Sequence, residues 1–245
     1  MDLFDDLSKR AQLFGLNLSA AIPAERYEMA AAAAYRAGAI FPACRSIVIL
    51  GNGGGDFWHA FKTHAAENPG WLERDNPLDD FTRDVVEEEV VMPIRNTGVQ
   101  CSTVFPFGNG PTLNFMQLAT LAGLAGPSII GVVVNPAYGP WIAFRAALLL
   151  DCEIDRPGNA LGFDPCPTCR SRSCISACPT TAVSFQSGWD IPKCLAHRIE
   201  AYPDCTQGCH ARMACVLSPG ERYPDDELAY HQMRALRLMR RHYLK

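Results

Sequence analysis

The chain has 245 residues, with 22 lysines and arginines against 26 aspartates and glutamates and a hydrophobic content of 48%. This composition predicts a globular protein with enough chain to bury a full core, and its negative net charge argues against a nucleic-acid-binding surface. The first residues do not resemble a secretory signal, and no uncharged apolar run reaches the roughly 18–20 residues of a membrane span. We therefore expect a cytoplasmic protein that binds neither membranes nor nucleic acids.

The first 150 residues predict helices interleaved with strands. Helices are predicted at about 3–14, from Pro23 to Gly38, and at 56–67, 77–95 and 111–124. Strands are predicted at 45–50, 99–105, 128–134 and 141–150. The last two strands are joined by the short link N-P-A-Y-G-P, which favours an antiparallel hairpin. An antiparallel pair among long helices predicts an α+β sandwich rather than a doubly wound parallel sheet.

Two features of this part have more than one interpretation. The glycine-rich segment 51–56 follows a predicted strand and could hold a phosphate against its backbone amides. It lacks the G-x-G-x-x-G and P-loop patterns, so a plain flexible turn, or a loop against some other ligand, is favoured over nucleotide binding. Arg145 interrupts an apolar predicted strand, and it is either an edge or ion-paired residue or an anion contact in a pocket.

Cysteines cluster between residues 166 and 215. A Cys-x-x-Cys pair is followed by a third cysteine and then by a Cys-Pro, which is typical of a bacterial-type ferredoxin segment. Eight thiolates match the needs of two 4Fe–4S clusters at four per cluster. The predicted ligands are Cys166, Cys169, Cys174, Cys178, Cys194, Cys205, Cys209 and Cys215.

The crossed ligand pattern of two-cluster ferredoxins predicts that Cys215 joins the first three cysteines and that Cys178 joins the other three. The spacings depart from the usual ones, with four residues between Cys169 and Cys174 and no regular repeat in the second half. Zinc sites are disfavoured because only one Cys-x-x-Cys pair exists, and disulfides are disfavoured in a reducing compartment. The remaining cysteines are predicted to be buried thiols: Cys44, Cys101 and Cys152.

Two segments resemble known families. C-P-T-T-A-V at Cys178, followed sixteen positions later by K-C-L-A-H-R-I-E, resembles the cluster domain of epoxyqueuosine reductases. That resemblance implies two 4Fe–4S clusters that reduce a base-off cobalamin on a nitroreductase-like domain. Residues 103–115 contain no acid where those reductases have an aspartate proton donor, so reduction of a tRNA base is not predicted.

Residues 135–150 and 220–231 resemble the CblC-type cobalamin-processing proteins (the MMACHC family). The resemblance implies base-off binding of cobalamin and removal of its upper ligand, by reductive decyanation or by dealkylation with glutathione. Arg145 falls where that family has an arginine implicated in thiol or ligand handling. The cobalamin contacts that we predict are Phe107, Gly108, Asn109, Gly131, Pro136, Tyr138, Gly139, Pro140, Trp141, Arg145 and Arg222.

The predicted organisation has three parts. Residues 1–160 form a nitroreductase-like cobalamin-binding domain, residues 161–220 form a ferredoxin-like domain with two clusters, and residues 221–245 form a helix that packs on the N-terminal domain. The last helix, at 224–244, is acidic at its start and basic at its end, which complements the helix dipole.

The predicted function is that of an oxidoreductase that takes electrons from a donor protein and removes the upper ligand of cobalamin. The chain has no D-x-H-x-x-G motif to supply a histidine to the lower face of the corrinoid, which agrees with base-off binding. Two alternatives stay open. One is a cobalamin-dependent reductase of an organic substrate, similar to epoxyqueuosine reductase or a dehalogenase. The other is a cobalamin chaperone or a ferredoxin-type electron carrier without enzymatic activity.

Overall fold

The structure, a computed structural model, describes residues 2–201 and 203–243, except for the side chains of residues 242 and 243. The chain forms two compact units. Unit 1 comprises the described residues of Met1–Ala125 together with Ile142–Gly162, and unit 2 comprises Gly126–Trp141 together with the described residues of Phe163–Lys245. No helix among the described residues is both long enough and apolar enough to cross a bilayer.

A four-stranded sheet forms the centre of unit 1, with the order β1-β2-β4-β3 and every neighbouring pair antiparallel. The two inner strands, β2 and β4, are mostly apolar, with Asn52 and Arg145 as buried polar residues, and they are buried along most of their length. Such strands suit a sheet that is covered on both faces. The strands are β1 (Leu18–Pro23), β2 (Ser46–Gly53), β3 (Cys101–Val104) and β4 (Ile142–Leu150).

Helices surround this sheet. Phe81 packs with Phe57 and Phe61 at ring-centre distances of 5.4 and 5.8 Å, which joins α4 to α5. A π-helical stretch, Val85–Val91, continues α5 into α6. The helices of unit 1 are α1 (Leu3–Gln12), α2 (Ala24–Glu28), α3 (Ala37–Ile40), α4 (Asp56–Glu67), α5 (Pro77–Asp84), α6 (Met92–Arg95) and α7 (Phe115–Leu121), with 3₁₀ turns at Ala33–Tyr35 and Trp71–Glu73.

Unit 2 is built from short elements and one long helix. Leu236 and Met239 of the long helix pack against Leu195 in one buried cluster, and Trp141 packs with Tyr223 and Leu228 in another. The elements are α8 (Ser173–Ser176), β5 (Val183–Ser184), β6 (Gly188–Trp189), α9 (Ile191–Glu200), α10 (His210–Met213), a 3₁₀ turn at Pro219–Glu221, and α11 (Asp225–Tyr243). The predicted last helix is therefore present, and its predicted final residue, Leu244, lies outside the described residues.

The mixed helix-and-sheet class with antiparallel pairing is confirmed, but the predicted hairpin is wrong. Residues 128–134 form turns instead of a strand, and only an isolated bridge joins Gly126 to Val134. Gly131 has a φ of +79°, which breaks an extended run. The strand β4 pairs with β2 and β3 instead.

The predicted helix from Pro23 to Gly38 is also wrong. Pro23 ends β1, whose residues Ala20 and Ile22 are fully buried against β2, and α2 begins directly after it at Ala24 as predicted but already ends at Glu28. Only α2, the 3₁₀ turn and α3 are helical, and the Glu28 carboxylate accepts a hydrogen bond from the Gly38 amide at 2.8 Å. The glycine-rich segment is partly strand, because β2 continues through Gly53.

The predicted division into residues 1–160, 161–220 and 221–245 stays a prediction of functional domains. The compact units differ from it in two places. Residues 126–141 belong to unit 2, and so does α11, which contacts α9 through the buried cluster of Leu195, Leu236 and Met239.

Candidate metal centre

All eleven cysteines are free, partly buried thiols. The eight predicted ligands belong to unit 2 and lie on short helices and the turns between them. Cys174 lies in α8 and Cys194 lies in α9, while Cys209 directly precedes α10. Because α8 and α10 contact each other, cysteines that are distant in the sequence come close in space.

The first set of thiols comprises Cys166, Cys169, Cys174 and Cys215. Burial raises the pKa of the Cys174 thiol, and the charges of Cys215, Cys166 and Cys169 raise it further. Burial also raises the pKa of Cys215; a hydrogen bond from the Leu217 backbone opposes that shift, and the charges of Cys166 and Cys169 add to it. These four thiols therefore lie within electrostatic reach of one another.

The second set comprises Cys178, Cys194, Cys205 and Cys209. Burial raises the pKa of Cys194, and the charges of Cys209 and Cys178 act in the same direction. Burial is also the main cause that raises the pKa of Cys205 to about 11, followed by the charges of Asp204, Cys209 and Cys194. Thiolates crowded in this way repel each other, and a bound metal would relieve the repulsion.

Trp189 supports the second set. Its side chain hydrogen-bonds to Cys194 and opposes the rise in the pKa of that thiol. Gly131 lies against the Trp189 ring, and a Cβ atom at this position would overlap the ring. The positive φ and the close approach to Trp189 explain why residue 131 is a glycine, and no ligand contact is needed to explain it. The predicted cobalamin contact at Gly131 stays a prediction.

Asp204 fixes the loop that carries Cys205 and Cys209. Its carboxylate accepts hydrogen bonds from His197 Nε2 at 2.9 Å and from His210 Nε2 at 2.8 Å. These two bonds, of which the one from His210 has the larger effect, lower the pKa of Asp204 to about 2. The same carboxylate accepts the backbone amide of Cys205 at 2.9 Å, where φ is +57°. The bond helps to hold a backbone conformation that non-glycine residues seldom adopt.

Three metal-ligating side chains meet at this loop. One ligand atom each of His197, Asp204 and Cys205 lies within 4.8 Å of the others. Such a mixed nitrogen, oxygen and sulfur group is of a kind that zinc also accepts. The identity of the metal therefore decides between the predicted cluster and a zinc site.

Arg198 is a buried cation beside the second set. It lies one helical turn after Cys194 in α9, so the two side chains share a helix face. The residue is 3% exposed, and its guanidinium donates to Met239 Sδ at 3.2 Å and to the Gln232 carbonyl at 2.5 Å. Burial lowers its pKa, whereas the charges of the second-set thiolates oppose that shift. No carboxylate of the described residues forms an ion pair with it.

Several predicted cobalamin contacts form one turn of unit 2. The Asn135 side chain accepts hydrogen bonds from the amides of Ala137 and Tyr138 at 2.8 and 3.1 Å. Pro136 is exposed and Tyr138 is half-buried, while Gly139 and Pro140 are buried. This turn keeps Pro136 and Tyr138 accessible to a ligand.

Trp141 lies in the interior of unit 2, whereas Arg222 is exposed and lies beside the Trp141 ring. Trp141 is fully buried, with its ring centre 5.8 Å from that of Tyr223 and 4.9 Å from the Arg212 guanidinium. Arg222 donates to the Met213 carbonyl at 2.7 Å. Both side chains stabilise this unit, and their predicted contacts with a corrin ring stay predictions.

The other predicted contacts belong to unit 1. Phe107 stacks on Phe105 with ring centres 5.1 Å apart. Arg145 is buried, donates from Nε to Asn52 Oδ1 at 2.7 Å and lies 4.7 Å from the Phe57 ring. The glycine-rich segment therefore supplies Asn52 as a partner of Arg145. Gly108 has a φ of +88°, and Gly108 and Asn109 are exposed beyond the stacked rings.

Sequence reasoning missed four residues that organise the second set: Trp189, His197, Arg198 and Asp204. A signal existed for Arg198, because it follows Cys194 by four residues in a predictable helix. The hydrogen bonds of Asp204 to two histidines depend on how the loop folds back, and no sequence spacing indicates them.

The three remaining cysteines lie in unit 1 and are partly rather than fully buried. Burial raises the pKa values of Cys44 and Cys101 to about 12 in each case. Cys44 also donates a hydrogen bond to the Ser46 carbonyl at 3.4 Å. These thiols are therefore protonated at neutral pH and are not placed with the other eight.

No protein-family model and no curated protein matches the sequence, but solved structures share the fold. An epoxyqueuosine reductase from Streptococcus thermophilus matches with a TM-score of 0.59 and 13% identity, over 91% of this chain and 68% of that one. The Caenorhabditis elegans B12-trafficking protein CblC, a homologue of human MMACHC, matches with a TM-score of 0.58 and 13% identity, over 97% and 95%. The catabolic reductive dehalogenase NpRdhA matches with a TM-score of 0.56 and 17% identity, over 97% of this chain and 36% of that one.

These identities establish a shared fold and no more. The matched structures include both families that the sequence resembles. That the chain combines a CblC-type domain with an epoxyqueuosine-reductase-like cluster domain stays a proposal.

We expect Asp204→Ala to loosen the loop of residues 203–209, because both imidazoles and the Cys205 amide lose their acceptor. Hydrogen exchange of this loop, followed by mass spectrometry, should become faster, while α9 exchanges as before. Asp164→Ala, at an exposed position of the same unit, is the matched control and should change nothing. Equal exchange in both variants would show that Asp204 does not hold the loop.

Proposed function

We propose that this chain is an iron–sulfur protein that binds cobalamin and reductively removes its upper ligand. The observation that supports the proposal is electrostatic: Cys174 and Cys215 interact with Cys166 and Cys169, whereas Cys194 and Cys205 interact with Cys209, and Cys194 also with Cys178. Four thiolates are what one 4Fe–4S cluster requires. This grouping also agrees with the crossed ligand pattern expected from the sequence.

The surroundings of the second set fit a negatively charged cluster. A buried guanidinium is costly without a negative partner. The described groups that interact with Arg198 are a thioether, a carbonyl, three thiols and the cation Arg240, so thiolates are its available counter-charges. A hydrogen bond from Trp189 to Cys194 also favours the thiolate form. Hydrogen bonds to the sulfurs help to set the reduction potential of a cluster.

Thiolate-bound clusters supply single electrons, and reduction of the cobalt weakens its bond to the upper ligand. The part of this chain would be to hold the ligands, to balance charge and to exclude water. The Asp204 carboxylate fixes the Cys205 loop, and Arg198 balances negative charge at the second set. Burial is the main cause of the pKa shifts of Cys174 and Cys215, so both thiols are partly shielded from bulk water.

Cobalamin binding is supported by the shared fold with CblC and by local features of the predicted contacts. The half-buried Phe107, stacked on Phe105, offers a flat apolar surface of the kind that a planar ring contacts. The accessible turn at Pro136 and Tyr138 offers a second one. The fully buried Trp141 does not fit the role of a ring contact.

A second candidate is a reductase that uses cobalamin on an organic substrate. The fold shared with an epoxyqueuosine reductase and with a reductive dehalogenase favours it. The absence of an acidic residue from positions 103–115 favours ligand removal over epoxide reduction. A carrier that binds cobalamin without changing it is the non-enzymatic alternative.

Single-turnover assays with cyanocobalamin under anaerobic reduction, and with methylcobalamin and glutathione as the acceptor of the methyl group, test the proposal. We expect the upper ligand to leave at a stoichiometric amount of protein, followed by the visible spectrum of the corrinoid. Cys209→Ala should stop the reductive loss of cyanide and leave binding intact, whereas Cys101→Ala should leave both unchanged. Phe107→Ala should weaken binding, and Phe185→Ala is its matched control on unit 2.

Three outcomes would contradict the proposal. Absence of cobalamin binding would overturn it entirely. Tight binding without ligand loss would favour the carrier. Ligand retention combined with turnover of an added halogenated phenol or epoxide would favour the second candidate.

We expect Arg198→Met to lower the reduction potential of the second cluster, because loss of a buried cation disfavours the more negative, reduced state. A unit charge at roughly 12 Å contributes about 1.4 kcal/mol at an effective dielectric constant of 20, which is a shift of about 60 mV for one electron. Arg198→Lys should restore part of the potential. Redox titration followed by electron paramagnetic resonance measures it, and an unchanged potential in Arg198→Met would show that the cation does not act on the cluster.

A further inference from the structure

We propose that one face of α11 is the docking surface for an acidic one-electron carrier protein that reduces the cluster held by the second thiol set. The inference rests on the proposed function, because it requires a cluster at that set. We call this surface the arginine face, and it consists of Met233, Leu236, Arg237, Arg240 and Arg241.

The arginine face borders a groove of about 550 Å³ that is also lined by Thr206. Positions 233, 237, 240 and 241 recur at helical spacing, so they form one side of α11. Met233 is 56% exposed and the three arginines are exposed. Leu236 is buried with Leu195 and Met239, which anchors the helix on α9. The face is therefore cationic and partly apolar, on a rigidly packed support.

The charge of this face is the reverse of that of the whole chain. The chain has a net charge of −4, yet the segment 234–241 contains four arginines and no acidic residue. No carboxylate of the described residues forms an ion pair with Arg237, Arg240 or Arg241. Cations favour the last turn of a helix because of its dipole, which accounts for Arg240 and Arg241, whereas Arg237 lies six residues before the end of α11. The dipole alone does not account for it.

The groove reaches the loop of the second thiol set. Thr206 directly follows Cys205, and its hydroxyl donates to the Pro203 carbonyl at 2.5 Å. Arg198, buried in α9, interacts electrostatically with Cys205 and also with Arg240. A partner seated on the arginine face would therefore lie beside the loop of the second set.

A protein with surface carboxylates suits this face better than a small anion does. Arginine and methionine are enriched at protein interfaces, and the exposed Met233 and Leu238 supply apolar contact beside the charges. Complementary charge mainly accelerates encounter and fixes orientation. In the transfer step one electron leaves the carrier, which is oxidised, and enters the second cluster, which is reduced; no bond or proton moves.

The test uses the full chain and an acidic plant-type ferredoxin as the probe. The variant carries Arg237→Glu, Arg240→Glu and Arg241→Glu. Its control has the same charge change at exposed positions of unit 1: Lys9→Glu, Arg36→Glu and Arg45→Glu. Binding of oxidised ferredoxin is measured at low and high salt, and reduction of the clusters by reduced ferredoxin is followed by stopped flow.

For the arginine-face variant we expect at least tenfold weaker binding and slower reduction at low salt, and a loss of the salt dependence that screening produces in the wild type. Reduction by dithionite, which needs no docking surface, should stay unchanged. The control variant should bind and react within about twofold of the wild type.

Equal ferredoxin binding by the two variants would overturn the docking surface. A tRNA hairpin is tested in a mobility-shift assay. Binding of this hairpin through the three arginines, without binding of ferredoxin, would also overturn the docking surface. A protein that binds ferredoxin through the arginine face but contains no iron would overturn the proposed function and leave the surface standing. The binding measurement therefore separates the two failures.

Discussion

Unit 2 depends on one constraint, which is the close approach of many groups that would be negative when ionised. Thiolates from distant parts of the chain repel each other, and burial raises their pKa values further. The chain opposes this with hydrogen bonds and one buried cation. Trp189 bonds to Cys194, Asp204 ties two histidines to the loop of Cys205, and Arg198 supplies positive charge. A metal would complete this balance.

The sequence predicts where helices form and which residues could bind a metal better than it predicts which segments pair as strands. The helices at 56–67 and 77–95 follow from clear apolar periodicity and a proline start, and both are present. The run at 128–134 is as apolar as a strand, but Gly131 turns it and lies against Trp189. Local propensity cannot reveal this contact between residues that are distant in the sequence.

The candidate site likewise contains residues that the sequence predicts and residues that it does not. The cysteines, and the crossed pattern that would divide them, follow from spacing alone, and the electrostatic grouping of the thiols agrees with that pattern. The groups around the second set do not follow from spacing, because Asp204 meets His197 and His210 only once the loop has closed. Trp141 is the opposite case, since a tryptophan beside a predicted ligand turn proves to be a core residue.

The fold is shared with a B12-trafficking protein and with two kinds of reductase, so fold alone does not select the chemistry. Which chemistry the chain can perform depends on the metal that unit 2 binds. Clusters would give the chain electrons to deliver, whereas zinc at His197, Asp204 and Cys205 would supply no electrons.

The most direct measurement is the iron, acid-labile sulfide and zinc content of protein purified without oxygen. The account predicts about eight iron atoms and about eight sulfides per chain, as two 4Fe–4S clusters contain, with a broad absorption band in the visible range. A colourless protein that contains zinc, or one whose cysteines are joined in disulfides, would contradict it.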